Sequence, residues 1–105
     1  GFEYDMVEGM IGFDPIYTHK NKFQCFWSLD SGWGLFISEK NQVKLRVLYG
    51  QLKLNKLRLP FLKNKDIKSV ELENKLIDYN MIKEDIKFVK PVKIKENDTL
   101  IVKFK

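Results

Sequence analysis

Apolar and polar residues alternate with a period of two through most of the chain, the pattern of strands with one buried face. Phe23, Cys25, Trp27 and Leu29 share one face of a first strand, and Trp33, Leu35 and Ile37 share one face of the next. Asp30-Ser31-Gly32 between them predicts a three-residue loop with Gly32 in the left-handed position. That loop pairs Leu29 with Trp33, Trp27 with Leu35 and Cys25 with Ile37, so both apolar faces coincide. A two-residue loop would set Trp27 opposite Gly34 and mix the faces, and it is rejected on that ground. The chosen register makes Phe26 and Phe36 cross-strand partners on the face opposite both tryptophans.

A second pair follows. Val43, Leu45, Val47 and Tyr49 alternate up to Gly50-Gln51, and Leu52 and Leu54 alternate away. Glycine first in a two-residue turn predicts a type II′ hairpin with Tyr49 opposite Leu52 and Val47 opposite Leu54. The phase then shifts, and one extra residue near Asn55-Lys56, a β-bulge, restores it as Leu45 with Leu57 and Val43 with Leu59. Pro60 ends the pairing. Val70 and Leu72 suggest a short strand, Ile86 to Val89 another. Val92 and Ile94 lead into a turn at Glu96-Asn97-Asp98 and a return through Leu100, Val102 and Phe104. Residues 66–87 partly fit a helical period, but β-branched content and Asn74, Asp78 and Asn80 at turn positions favour strands. The expectation is one all-β domain over residues 1–105, an antiparallel sandwich or jelly roll of eight or nine short strands.

Composition narrows the class. At 105 residues, with eight Phe, two Trp and four Tyr, the chain can bury a core without disulfide or metal staples. No apolar run approaches the roughly 18–20 residues of a membrane span. Cys25 and His19 are each the sole residue of their type, which removes disulfide frameworks and zinc-finger ligand sets and leaves no cofactor motif. The lone cysteine fits a reducing compartment such as the cytoplasm. The chain opens on Gly1 in what reads as a strand, with no signal-peptide pattern, so a processed product or a piece of a larger protein is expected.

A search for chemistry yields no active site. His19 lies among Tyr17, Thr18 and Lys20 in a polar loop, and Cys25 falls on the core face, where a thiol behaves as a small hydrophobe. Glu3, Asp5, Glu8, Asp14, Asp30 and Glu39 fall in turns or on outward positions, and no feature brings two together as a glycosidase pair requires. Phosphate-cradling glycine motifs are absent. Trp27 and Trp33 are expected in the core rather than on a stacking platform. Phe26 and Phe36, side by side on the outward face, mark an apolar patch. It is either an interface candidate or a surface covered within the same domain by a second sheet or by the segment from Met6 to Tyr17. The lysines read as a solvated face that discourages edge pairing, and a nucleic-acid partner is not expected.

Beyond these patterns, Gly1-Phe2-Glu3-Tyr4-Asp5 followed by Gly12-Phe13-Asp14-Pro15 resembles the opening of a module at the carboxyl end of certain glycosidases. The continuation is similar to glycoside hydrolase family 116: Phe23-Gln24-Cys25-Phe26-Trp27-Ser28, Gly32-Trp33-Gly34-Leu35-Phe36, and Val43-Lys44-Leu45-Arg46-Val47 with Gly50-Gln51-Leu52. The likeness covers residues 1–60 and thins after Pro60, where Asn97-Asp98-Thr99-Leu100-Ile101-Val102 looks like a closing strand. The family contains β-glucosidases, β-xylosidases and non-lysosomal glucosylceramidases. The resemblance implies a retaining β-glycosidase whose Glu nucleophile and Asp acid belong to an (α/α)6 barrel, and nothing in this chain matches those motifs. It therefore implies a non-catalytic accessory domain that packs on the barrel, with Phe26 and Phe36 at the interface. The rival expectations are a carbohydrate-binding module stacking Tyr17, Trp27 or Trp33 on a glycan, and a small basic nucleic-acid-binding β protein.

Overall fold

The computed structural model describes residues 2–14 and 22–105. Among them are ten strands: β1 Phe2–Asp5, β2 Met10–Phe13, β3 Phe23–Leu29, β4 Gly32–Ser38, β5 Gln42–Arg58, β6 Ile67–Leu72, β7 Lys75–Leu76, β8 Tyr79–Ile82, β9 Asp85–Lys95 and β10 Thr99–Phe104. A 3-10 turn, Pro60–Leu62, follows β5. The expected all-β class is correct, and the stretch that partly fits a helical period forms strands. No helix among the described residues is long and apolar enough to cross a membrane.

The organising element is β5. Its 17 residues would reach ~56 Å if straight, yet the longest dimension of the molecule is 32 Å. The strand therefore bends, and each half serves a different sheet. The first half pairs with β4 and β10, giving the order β3-β4-β5-β10-β6-β7. The second half pairs with β9 on one edge and with β2 on the other, giving β1-β2-β5-β9-β8. All of these pairings are antiparallel except β2 with β5.

The bend replaces the hairpin expected at Gly50-Gln51, and the pairings of Leu45 with Leu57 and Val43 with Leu59 do not occur. Gly50 has φ +78°, and a Cβ there would collide with the carbonyl oxygen of Ser31 in the β3–β4 turn. A glycine is needed, but to turn a corner against a neighbouring loop. The β4–β5 register shifts just before this corner, with Trp33 opposite Tyr49 and Gly34 opposite Val47, which leaves Leu48 as an extra residue. Buried positions on β5 therefore change phase between Val47 and Leu52.

They change phase again between Leu54 and Leu57. The β5–β9 register shifts between Leu54 and Lys56, where the sequence places its bulge, although the partner strand is β9. The amides of Asn55 and Lys56 both donate to the carbonyl of Gly9, at 2.7 and 3.1 Å. The bulge thereby anchors the β1–β2 turn. The turn at Glu96-Asn97-Asp98 also exists, with Asn97 at φ +70°, but β9 and β10 do not form a hairpin. They separate onto the two halves of β5.

Both inner faces contribute to one core. Ile11, Phe13, Leu52, Leu54, Ile86 and Ile94 from one sheet meet Trp27, Phe36, Val43, Val47, Leu100 and Val102 from the other.

Candidate functional site

The β3–β4 hairpin decides which aromatics face outward, and its register differs from the expectation. Leu29 pairs with Gly32, Ser28 with Trp33, Trp27 with Gly34, Phe26 with Leu35 and Cys25 with Phe36. The loop is the two-residue Asp30-Ser31, the alternative rejected above, and Gly32 does not adopt a left-handed φ. The physical reason is Gly34. A Cβ there would collide with the Arg46 carbonyl oxygen and lie 3.0 Å from the Trp27 ring. The bare glycine is the floor on which the indole lies, so a register that looks wasteful in polarity is the one that fits in volume.

This register corrects two placements. Phe36 is fully buried and stacks on Phe13, with centroids 4.0 Å apart, so it is a core residue rather than part of an outward patch with Phe26. Trp33 is 40% exposed rather than in the core. Trp27 is fully buried as expected, which removes it as a sugar-stacking residue. Its indole N–H has no hydrogen-bond partner among the described residues. Cys25 is half-buried and packs against the core. Tyr17 and His19 lie outside the described residues.

Phe26 stays outward at 55% exposure, and the structure gives it new neighbours. Its ring lies 5.8 Å from Trp33, and Trp33 lies 6.0 Å from Tyr49 with planes only 18° apart. Tyr49 is 60% exposed. Three strands thus present a row, Phe26–Trp33–Tyr49, and the half-buried Leu35 and Ile37 continue its apolar surface. Alternation through Val47 assigns Tyr49 to the core, which is why sequence reasoning passes over it. What turns Tyr49 outward is the register shift in the β4–β5 pairing, Trp33 opposite Tyr49 but Gly34 opposite Val47, which leaves Leu48 as an extra residue that apolar alternation does not reveal.

A groove of about 340 Å³ lies at the turn end of this row, lined by Tyr4, Met6, Ser28, Leu29, Asp30 and Ser31. A second, of about 320 Å³, opens between β6–β7 and β9, where Leu76, Ile77, Val89 and Pro91 form apolar walls.

Carboxylates are dispersed. Glu3, Glu84 and Asp85 gather on Arg58, with the shortest contact 2.7 Å from its Nε to Asp85 Oδ1. The hydrogen bond it donates to Asp85, ahead of the Glu3 charge, holds the guanidinium well above its ordinary pKa. Such a hub is structural, tying β1 and β9 to the end of β5. Glu8 pairs with Lys56, and Glu39 with Lys44. No group of three His, Cys, Asp or Glu side chains suited to a metal occurs among the described residues.

Comparison with known protein families, curated proteins and solved structures finds no match.

Proposed function

We propose that this chain is a non-catalytic docking domain that holds a partner against the outer face of β3, β4 and β5. The observation that carries this reading is the row Phe26–Trp33–Tyr49, three adjoining rings each 40% or more exposed. Exposed contiguous aromatic surface costs solubility, and its usual use is burial against another molecule. The sequence resemblance supplies the partner's kind: the (α/α)6 barrel of a family-116-like glycoside hydrolase, in the same or a separate chain, with this domain as its carboxyl-terminal accessory module.

An antibody raised against the domain tests that assignment on an immunoblot of the source organism. A band several times heavier than the chain's 12.5 kDa supports a module of a larger enzyme. A band at 12.5 kDa with no co-purifying helical partner contradicts it.

One observation favours a second reading, carbohydrate binding. Trp33 and Tyr49 are exposed adjoining rings of the kind a sugar packs on, and the groove at the β3–β4 turn offers Ser28, Asp30 and Ser31 as hydrogen-bonding groups. Tryptophan emission titrated with oligosaccharides separates the two. A saturable shift that Trp33→Phe abolishes supports the glycan, and constant emission at millimolar sugar removes it.

A further inference from the structure

The outer face of the β5–β9 pair carries lysines that no carboxylate among the described residues neutralises. Lys53 and Lys93 are direct cross-strand partners, and Lys95 is the partner of Gln51 on the same face. Lys87 follows beyond the bulge, opposite Lys56. All of these lysines except Lys56 are exposed. Like charges directly opposite on a sheet repel and destabilise the pair. Of these lysines Lys56 alone is ion-paired, to Glu8 at 3.3 Å, and the other side-chain ion pairs among the described residues go to Lys44, Arg58 and Lys103. The nearby Glu96 carboxylate instead accepts the Gly50 amide. The arrangement lowers stability and concentrates positive potential, which suits an anionic chain laid along the strands.

Position identifies the kind of chain. Tyr49 precedes Gln51 by two residues on the same strand, is exposed, and is stacked on Trp33. A basic strip on one side of the Gly50 corner and exposed rings on the other, joined along β5, supply the two elements that hold a single-stranded nucleic acid, ammonium groups for phosphates and rings for bases. Lysine rather than arginine suits it, because a point charge tracks a backbone without reading base edges. Alternation alone places Trp33 in the core, away from any such surface, whereas the structure exposes it and sets it against Tyr49, two residues before Gln51 on β5.

We propose that Lys53, Lys93 and Lys95 form a phosphate-tracking surface for single-stranded nucleic acid, with Tyr49 and Trp33 as its base platform. This goes beyond the docking reading. It shares the rings with that reading but not the lysines, so lysine variants test it alone.

The test is a titration of the chain with a labelled oligothymidylate of about twelve nucleotides, from about 20 to about 200 mM salt. The expected slope of log K against log salt is about −2, from three contacts at roughly 0.7 each. Binding should quench tryptophan emission. The Lys53→Gln/Lys93→Gln double variant should lose about 1.4 of the slope. Tyr49→Ala should weaken binding with the slope unchanged. Each lysine variant is also tested singly, with its fold checked by circular dichroism. No binding at low salt overturns the proposal, as does a slope that the double variant leaves intact. Polyglutamate binding as tightly, without quenching, would reassign the strip to acidic polypeptides and overturn it too.

Discussion

Phe13 on β2 and Phe36 on β4 stack face to face across the core, with ring planes 9° from parallel. One ring comes from each sheet, so the pair joins the two layers that β5 connects covalently. Phe36→Ala should therefore cost about 3–5 kcal/mol in urea unfolding. Phe26 adjoins the buried Trp27 in sequence but points outward, so Phe26→Ser should change stability by no more than about 0.5 kcal/mol. Equal costs for the two would place Phe26 in the core and contradict the register.

Gly34 is a second test of that register. Gly34→Ala pushes a methyl group at the Arg46 carbonyl and the Trp27 ring, and overpacking of this kind costs about 1–3 kcal/mol. Under the three-residue loop Gly34 would not face Trp27, and the same substitution would leave the indole undisturbed. Trp27 emission in a Trp33→Phe background reports which holds.

The Lys53–Lys93 pair predicts a gain. Lys53→Glu replaces a repulsion by a cross-strand attraction and should stabilise the chain by about 0.2–1 kcal/mol. The gain should shrink as salt is added, because both side chains are exposed. Thermal melts at low and high salt check both statements.

Acid behaviour follows from Glu39. Its carboxylate accepts a hydrogen bond from Gln42 Nε2 at 3.0 Å and pairs with Lys44 at 3.3 Å. These contacts, the Gln42 bond first, hold its pKa below the ordinary 4.5. A carboxyl depressed by folding stabilises the native state above its unfolded pKa and loses that contribution as pH falls through the folded one. Glu39→Gln should therefore be less stable than the parent at neutrality, with the difference vanishing in acid. Urea midpoints across that range measure it.

Much of this fold is legible in the alternation of apolar residues. The bulge at Asn55 follows from it directly, because a phase change in burial leaves its mark in side-chain type, and so do β6 and β10. The short β7 and β8 do not, and the segments at 86–89 and 92–94 join into the single strand β9. Registers governed by glycine do not follow from it either. Gly34 carries no polarity, so a pattern of apolar and polar residues cannot show that it is the space an indole occupies. Gly50 reads equally well as a hairpin turn or a corner, and only the carbonyl of Ser31, distant in sequence from β5, distinguishes them. Trp33 is misplaced for a related reason: hydrophobicity signals burial, and a row of rings kept outward for a partner breaks that rule where function lies.

The most direct test of the docking face is hydroxyl-radical footprinting of Phe26, Trp33 and Tyr49. The isolated chain is compared with the native assembly that the antibody captures, with the exposed Met81 on β8 as reference. All three rings should oxidise readily in the isolated chain and be protected together in the assembly, while Met81 is unchanged. Equal oxidation of the row in both states would contradict the docking role.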